Sequence, residues 1–369
     1  MNILMVSNEF PPSLGGVQTH VYELSRALVL LGHQVDVITR LKDEDLPAFE
    51  DTSGVRIHRI PLAVNHLIYN WQLLKKIRSL VDNRCINVIH VHGMRPLAAC
   101  KKLNLPVVFT NHTSSFLKRF EQGSAQRQKM LKLLQAVSMV IAPSQLLIDK
   151  TIQTGYRGTA NFVPNGVDVG KFSPGDSSLR ERLGLAESDF VVLFAGRLHK
   201  VKGVDCLAAA VEFAALPKLH LVVAGDGDER ADLEKNATRH LGSDHVHMLG
   251  AVANPDMPDV YRGADVAVLP SLMEATSIAG LEAMACGLPL IGSRVGGLPY
   301  IIEEGRSGLL FEPGVPEDLG NTIRTLYEDR ELTERMGRRS RQRVVELFSW
   351  EKIAAQTAEL YRQTLATSR

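Results

Sequence analysis

Short apolar runs recur along the chain, separated by segments in which apolar residues fall at helical spacing. Residues 3–6 form the first such run. The turn-rich Pro11-Pro12-Ser13-Leu14-Gly15-Gly16 follows, then an amphipathic segment over 17–31 closed by Gly32, then a second apolar run at 34–38. Further strands are expected at 55–60, 88–91, 107–110 and 139–142, with a helix over 67–81. Strands that are apolar throughout, alternating with amphipathic helices, predict a parallel sheet covered on both faces. The pattern restarts after the turn-rich Val163-Pro164-Asn165-Gly166-Val167-Asp168, and 172–177 reads as a linker. Strands are expected at 190–195, 219–224, 245–249, 266–269, 290–292 and 309–311. The expected fold class is therefore α/β, with two βαβ-type domains meeting near 165–175. Ligands of such sheets bind beyond the carboxyl ends of the strands, and a two-domain chain offers the cleft between its halves. A last helix begins near 350, and its pattern does not say where it packs.

The length of 369 residues fits two domains rather than one core. With 45% hydrophobic and 22% charged residues the chain reads as a soluble globular enzyme. The net charge of +1 gives no global pull toward nucleic acid, but it is unevenly divided. Residues 1–170 hold 19 Lys+Arg against 12 Asp+Glu, a net +7, and the remainder holds 23 against 29, a net −6. A basic first half suits an acidic partner or an anionic membrane surface, and ordinary surface variation gives the same figure. Cys85, Cys100, Cys206 and Cys286 form no C-x-x-C pair and read as reduced, packed thiols. Met1-Asn2-Ile3-Leu4-Met5-Val6 reads as a first strand and not as a signal peptide, and no window has the length of a membrane span. The expectation is a cytoplasmic protein, able to touch a membrane peripherally.

The chemistry concentrates in 270–289. A strand ends at Leu269, and a helix starts near Ser277 with Thr276 or Ser277 as N-cap, ending at Gly287 before Pro289. Its first-turn N–H groups face the strand ends, where they can hold an anion or a sugar oxygen. Glu274 precedes this helix and Glu282 lies in its second turn, so both can address one elongated ligand. Alternatively, Glu282 lies on a solvated face and Glu274 is a first-turn charge favoured by the helix dipole. In the first half, Gly15-Gly16 stands between a strand and a helix and can bring N–H groups to a phosphate, although no G-x-G-x-x-G fingerprint is present. Asp226-Gly227-Asp228 imitates a D-x-D metal motif. Phe116-Leu117-Lys118-Arg119-Phe120, with Arg127, Lys129 and Lys132, mixes apolar and basic residues and reads as a solvated helix face or a membrane patch.

The 270–289 segment resembles the Glu-x7-Glu motif of glycosyltransferase family 4, retaining enzymes of GT-B fold. Other family features recur in order: Gly196-Arg197-Leu198-His199-Lys200-Val201-Lys202-Gly203, Ala224-Gly225-Asp226-Gly227, the Gly296-Gly297 loop and Asn165-Gly166-Val167-Asp168. The resemblance covers nearly the whole chain. It implies two Rossmann-like parallel-sheet domains facing across a cleft, 1–168 for the acceptor and 169–349 for the donor, with 350–369 crossing back to the first after Phe348-Ser349-Trp350.

The resemblance also implies roles. Arg197 and Lys202 bind the donor diphosphate and stabilise the leaving group without a metal. Glu282 takes the ribose hydroxyls; Glu274 holds a sugar hydroxyl; the main chain of Ala275, Thr276, Ser277 and Ile278 contacts sugar or phosphate. Gly15 and Gly16 line the site near the phosphate, and Ala251 and Val252, after Gly250, border the base. His112 matches a histidine near the transferred sugar; by position alone, His90 and His92 lie at another strand end, where one reads as structural and His92 is the better acceptor-site candidate. The catalytic set is thus His112, Glu274, Arg197 and Lys202. In the family Asp226-Gly227-Asp228 caps a helix and binds no metal. Many members carry glycine and an aromatic after the first glutamate, where this chain has Ala275-Thr276-Ser277, so donor identity is open. The expected co-substrate is a nucleoside-diphosphate sugar, UDP-glucose or UDP-N-acetylglucosamine ahead of GDP-mannose, and no cofactor is required. A GT-B epimerase, a phosphorylase and a non-catalytic nucleotide-binding protein share the architecture, but the Arg197, Lys202, Glu274, Glu282 set argues against the first two. The missing fingerprint argues against a nicotinamide oxidoreductase.

Overall fold

A computed structural model describes residues 1–367 except Leu14, Glu44, Lys102, Thr113 and Ala215, and for Ser114 the backbone only. Leu14 and Thr113, part of two loops singled out in the sequence, lie outside the described residues. The chain forms two compact units. The first comprises Met1–Gly166 with Trp350–Arg369, the second Val167–Ser349.

The first unit is built on eight strands: β1 (Asn2–Ser7), β2 (Gln34–Arg40), β3 (Phe49–Thr52), β4 (Val55–Ile60), β5 (Val88–His92), β6 (Val107–Thr110), β7 (Met139–Ala142) and β8 (Thr159–Phe162). Their order is β3-β4-β2-β1-β5-β6-β7-β8. All pairs are parallel except β3 with β4. The two edge strands absent from the sequence expectation are β3 and β8. Their sequences, Phe-Glu-Asp-Thr and Thr-Ala-Asn-Phe, are half exposed, so the apolar signature of a buried strand is missing. The chain moves outward from β1 through β2 and β4, then returns to the other flank of β1 at β5. That reversal puts the carboxyl ends of β1 and β5 at a topological switch point, where ligands of open α/β sheets bind.

The second unit is a six-stranded parallel sheet of β9 (Phe190–Ala195), β10 (Leu219–Ala224), β11 (Val246–Gly250), β12 (Val266–Leu269), β13 (Leu290–Ser293) and β14 (Gly308–Phe311), in the order β11-β10-β9-β12-β13-β14. Its switch point lies between β9 and β12. Successive residues of β9 go to opposite cores: Val191, Leu193 and Ala195 to one face, Phe190, Val192 and Phe194 to the other. This is the period of two that two-sided burial demands. Of the 172–177 stretch, Phe172 is buried in this unit's core and Ser173 and Ser177 bond to Arg262 and Asp259, while Pro174, Gly175 and Asp176 are exposed.

The helix Trp350–Thr367 packs against the first unit. Trp350, Ile353, Ala354, Ala358, Leu360 and Tyr361 join the core formed by β1, β2, β4 and the helix Gly16–Leu30. The Tyr361 hydroxyl reaches His90 Nδ1 on β5 at 2.6 Å. Cys100, Cys206 and Cys286 are buried free thiols and Cys85 is an exposed one. Within Ser114–Glu121 the apolar Phe116, Leu117 and Phe120 are buried, so that helix presents no apolar face to solvent. No helix among the described residues is long and apolar enough to cross a membrane.

Truncating a fully buried isoleucine leaves a cavity and costs about 2–5 kcal/mol. Ile353→Ala should lower the unfolding free energy of the first unit by that amount in a urea titration, read through Trp71 and Trp350, both of which lie in it. Hydrogen exchange of the β9 amides should not change.

Candidate functional site

In the second unit the helix Ile278–Ala285 begins just beyond β12. Ser277 is its N-cap in extended backbone, its Oγ accepting from Gly280 N at 3.3 Å. Ser277, Thr276 and the preceding Ser271 are all buried. Glu274 stands in the loop between strand and helix. Its Oε2 accepts from Lys202 Nζ at 2.6 Å and from Ser271 Oγ at 3.1 Å. Lys202 lies 72 positions away in a short 3-10 turn after β9. Two strands flanking the switch point thus meet through one ion pair, with side chains 23% and 12% exposed. An ammonium has three donors, so holding Glu274 leaves Lys202 able to bind an anion as well.

Two glycines force this geometry. Gly296, at φ +55°, lies so close to the Glu274 loop that a Cβ there would sit 1.6 Å from the Glu274 carbonyl oxygen. Gly203, at φ +67°, approaches Pro270 so that a Cβ would sit 1.8 Å from the Pro270 oxygen. Any other residue would meet both a strained φ and a backbone clash. The neighbouring Gly297 N donates to the same Glu274 oxygen at 3.4 Å, and this closes the loop over Ala275 and Thr276.

Glu282 is 7% exposed, so it is not on a solvated helix face. Tyr261 donates its hydroxyl to Glu282 Oε2 at 3.0 Å. Burial, with the carboxylate beside it, pushes the Tyr261 pKa well above its usual value, which keeps this donor protonated. Arg197 is exposed immediately beyond β9; its carbonyl accepts from His199 N at 3.1 Å, and among the described residues its guanidinium has no hydrogen-bond or ion-pair partner. Ala251, just past β11, is exposed, and Val252 packs partly against the core. Asp226 Oδ1 accepts from Gly227 N at 2.8 Å and its Oδ2 faces Arg230 at 3.5 Å.

In the first unit Gly15 is the N-cap of the helix Gly16–Leu30. One turn in, His20 turns toward the ends of β5 and β6 and meets His92 and His112. His20 Nδ1 lies 2.9 Å from Asn165 Oδ1, an oxygen that only accepts, so Nδ1 carries the proton and Nε2 a lone pair. His92 Nδ1 and His112 Nε2 are 2.8 Å apart. The His20 and His112 rings cross edge to face at 4.4 Å. The Nε2 atoms of His20 and His92 are buried with no partner. Burial pulls the His20 pKa from 6.5 down to about 4 and that of His90 to about 3. Burial, then the neighbouring imidazoles, holds those of His92 and His112 well below the usual value. All four rings are therefore neutral at pH 7. His20, His92 and His112 offer ring nitrogens within 4.8 Å of one another, the spacing of a potential metal cluster. The rings of His92 and His112 stack at 21° with their facing nitrogens hydrogen-bonded, however, which favours a hydrogen-bonded chain over a converging ligand set.

The sequence reading missed His20, Asn165 as its holder, Tyr261 and Ser271. His20 had a signal, since it follows Gly16 by four residues and so shares the face of the helix start. His90 is occupied by Tyr361 and Thr110 on its two nitrogens, at 2.6 Å each.

The glycosyltransferase family 4 model matches residues 14–171, and the glycosyl transferases group 1 model matches 176–343. A D-inositol 3-phosphate glycosyltransferase of Geodermatophilus obscurus is 30% identical over 396 residues, 96% of this chain and 87% of that protein. The chain belongs to glycosyltransferase family 4. The gpi3 subunit of phosphatidylinositol N-acetylglucosaminyltransferase of Schizosaccharomyces pombe is 28% identical over 97% of this chain and 79% of its own length. Among solved structures, sucrose-phosphate synthase of Thermosynechococcus elongatus superposes with a TM-score of 0.85 at 26% identity, covering 99% of both chains. Anabaena HepE in complex with UDP-glucose gives 0.81 at 22% identity, over 98% of this chain and all of that one, a likeness of fold. This family 4 chain is a glycosyltransferase of GT-B fold.

Two outcomes follow from the geometry. Gly296→Ala should destabilise the second unit by about 2 kcal/mol or more in denaturant titration, because it combines positive φ with a backbone clash. For the first unit the sign runs with acid. Between pH 6.5 and 4 the unfolded chain binds protons that buried His20 refuses, so stability falls as pH drops through that window. A loss on the order of a few kcal/mol should appear in urea titrations from pH 7 to 4.5; a flat profile would contradict neutral burial of these rings.

Proposed function

We propose that this glycosyltransferase moves a hexose from a nucleoside-diphosphate sugar to a hydroxyl acceptor with retention of anomeric configuration. The donor is taken to be UDP-glucose or UDP-N-acetylglucosamine ahead of GDP-mannose. The observation that carries the reading is the Lys202–Glu274 pair at the switch point of the second unit, beside the unpartnered guanidinium of Arg197. A diphosphate laid across these strand ends meets Arg197 and the remaining Lys202 donors, which stabilise the charge that grows on the leaving phosphate. Glu274, fixed by Lys202 and Ser271, accepts from a sugar hydroxyl and sets the ring's orientation. Glu282, held by Tyr261, takes the ribose.

The acceptor belongs to the first unit. A lone pair on buried His20 Nε2, and neutral His92 and His112 beside it, suit a hydroxyl donor rather than an anion. In the front-side attack proposed for retention, the leaving phosphate takes the acceptor proton, and these imidazoles position the hydroxyl. Two curated relatives name an inositol-containing acceptor, D-inositol 3-phosphate and phosphatidylinositol. Inositol phosphates are therefore the acceptors to assay first. Nothing in this scheme calls for a metal ion or a cofactor, and the domains assigned are 1–168 for the acceptor and 169–349 for the donor, with 350–369 returning to the first.

The test is turnover of a panel of nucleotide sugars with inositol phosphates, the product's anomeric configuration being read by NMR. A product with the donor's configuration is expected, and inversion would refute retention. Arg197→Ala should lower kcat by about 10²–10³, the loss typical of one transition-state donor, while an unchanged kcat would remove Arg197 from the reaction.

A further inference from the structure

The helix His66–Arg84 carries an exposed face that its own unit does not explain. Its buried side is Tyr69, Leu73, Ile77 and Leu80, at the three- and four-residue spacing of a core stripe. The opposite side should be polar. Instead Leu67 is 79% exposed, Ile68 50% and Trp71 64%, and Val64, just before the N-cap, is 81% exposed. Single exposed apolar residues are ordinary, but three large ones on one helix face, with a fourth just before its cap, mark an interaction surface. The local structure holds them out. Asn65 caps the helix by accepting from Leu67 N and Ile68 N. Arg95 donates to the carbonyls of Ala63 and Val64 while its guanidinium covers the Tyr69 ring at 4.2 Å.

The charge beside this stripe is mainly positive. From Thr52 to Val81 the sequence contains no Asp or Glu; Arg56 and Arg59 are paired with Asp36 and Glu50, which leaves Lys75, Lys76 and Arg78 on the helix, followed one turn later by the exposed Asp82. Lys75 and Arg78 continue the exposed stripe one and two turns past Trp71, and Lys75 Nζ lies 5.5 Å over the Trp71 ring. An apolar stripe with tryptophan, edged by lysine and arginine and carrying one acid at its far end, is the composition of a helix lying in the interface of an anionic bilayer. A protein partner or a second copy would have to be both apolar and acidic. The first 170 residues carry net +7 as well, so the long-range field favours a negative surface.

We propose that Val64, Leu67, Ile68 and Trp71, with Lys75 and Arg78, form a docking face for membranes containing anionic phospholipid. The helix lies flat, its apolar side chains among the acyl ends of the headgroups and its cations at the phosphates. This face is separate from the strand-end residues assigned to donor and acceptor, and it stands whether or not those assignments hold.

Trp71 is one of the chain's two tryptophans, and the other, Trp350, is buried. Full-length protein is mixed with vesicles of phosphatidylcholine alone or of phosphatidylcholine with 30% phosphatidylglycerol. With the anionic vesicles, Trp71 emission should shift to the blue and the protein should sediment with the lipid. Partitioning should be at least tenfold weaker on neutral vesicles or in 0.5 M salt. Trp71→Phe should lose the shift yet still sediment. Leu67→Asp with Trp71→Asp, both at exposed positions, should abolish sedimentation with the thermal unfolding profile unchanged. No shift and no sedimentation, binding indifferent to lipid charge, or a double variant that binds like the parent would each overturn the proposal. So would a concentration-dependent dimer that the double variant abolishes, because that would give the face to a second copy.

Discussion

The second unit's site depends on a contact that only glycine permits: Gly296 laid against the Glu274 carbonyl. It fixes the backbone between β12 and the helix Ile278–Ala285. A fixed backbone lets one carboxylate be held by Lys202 and Ser271 rather than sampling solvent. Gly203 does the same from the other side, clamping the turn that bears Lys202 onto Pro270. The ion pair alone, partly exposed, would contribute little to stability. Its value is positional, because loops this close have no room to move when a charged ligand arrives.

The first unit uses the opposite device. Its strand ends carry imidazoles made neutral by burial rather than charges held in pairs. Neutral rings accept from a hydroxyl and impose no cation on it. The helix Trp350–Thr367 takes part in this burial, since Trp350 lies 5.3 Å from the His20 ring and Tyr361 holds His90. The segment farthest along the chain therefore helps set the electrostatics of the first strands. Asn165, next to the boundary of the unit, fixes the His20 tautomer.

Much of this was legible before any coordinates. Continuous apolar runs located the buried strands to within a residue or two, because strands covered on both faces have no polar side to blur the pattern. β3 and β8 were invisible for the converse reason, being half-exposed edges of mixed polarity. Glu274 and Glu282 stood out only through their resemblance to a motif; spacing alone left a solvated face equally open, and burial of Glu282 against Tyr261 closed that option. The partnerships were not legible. Lys202 with Glu274, His20 with Asn165 and Tyr261 with Glu282 join residues 72, 145 and 21 positions apart, and no local pattern encodes which strand ends will lie side by side. The outward face of the helix His66–Arg84 was equally hidden, since its apolar residues pass for core until burial is known.

The role proposed for Glu274 is recognition of the transferred sugar rather than of the nucleotide. The direct measurement is calorimetric titration of the Glu274→Gln protein with the donor that turns over and with its nucleoside diphosphate. Nucleoside diphosphate affinity should stay close to that of the parent protein, while the nucleotide sugar binds at least tenfold more weakly, a loss of about 1.4 kcal/mol. Equal weakening of both ligands, or of neither, would contradict this role.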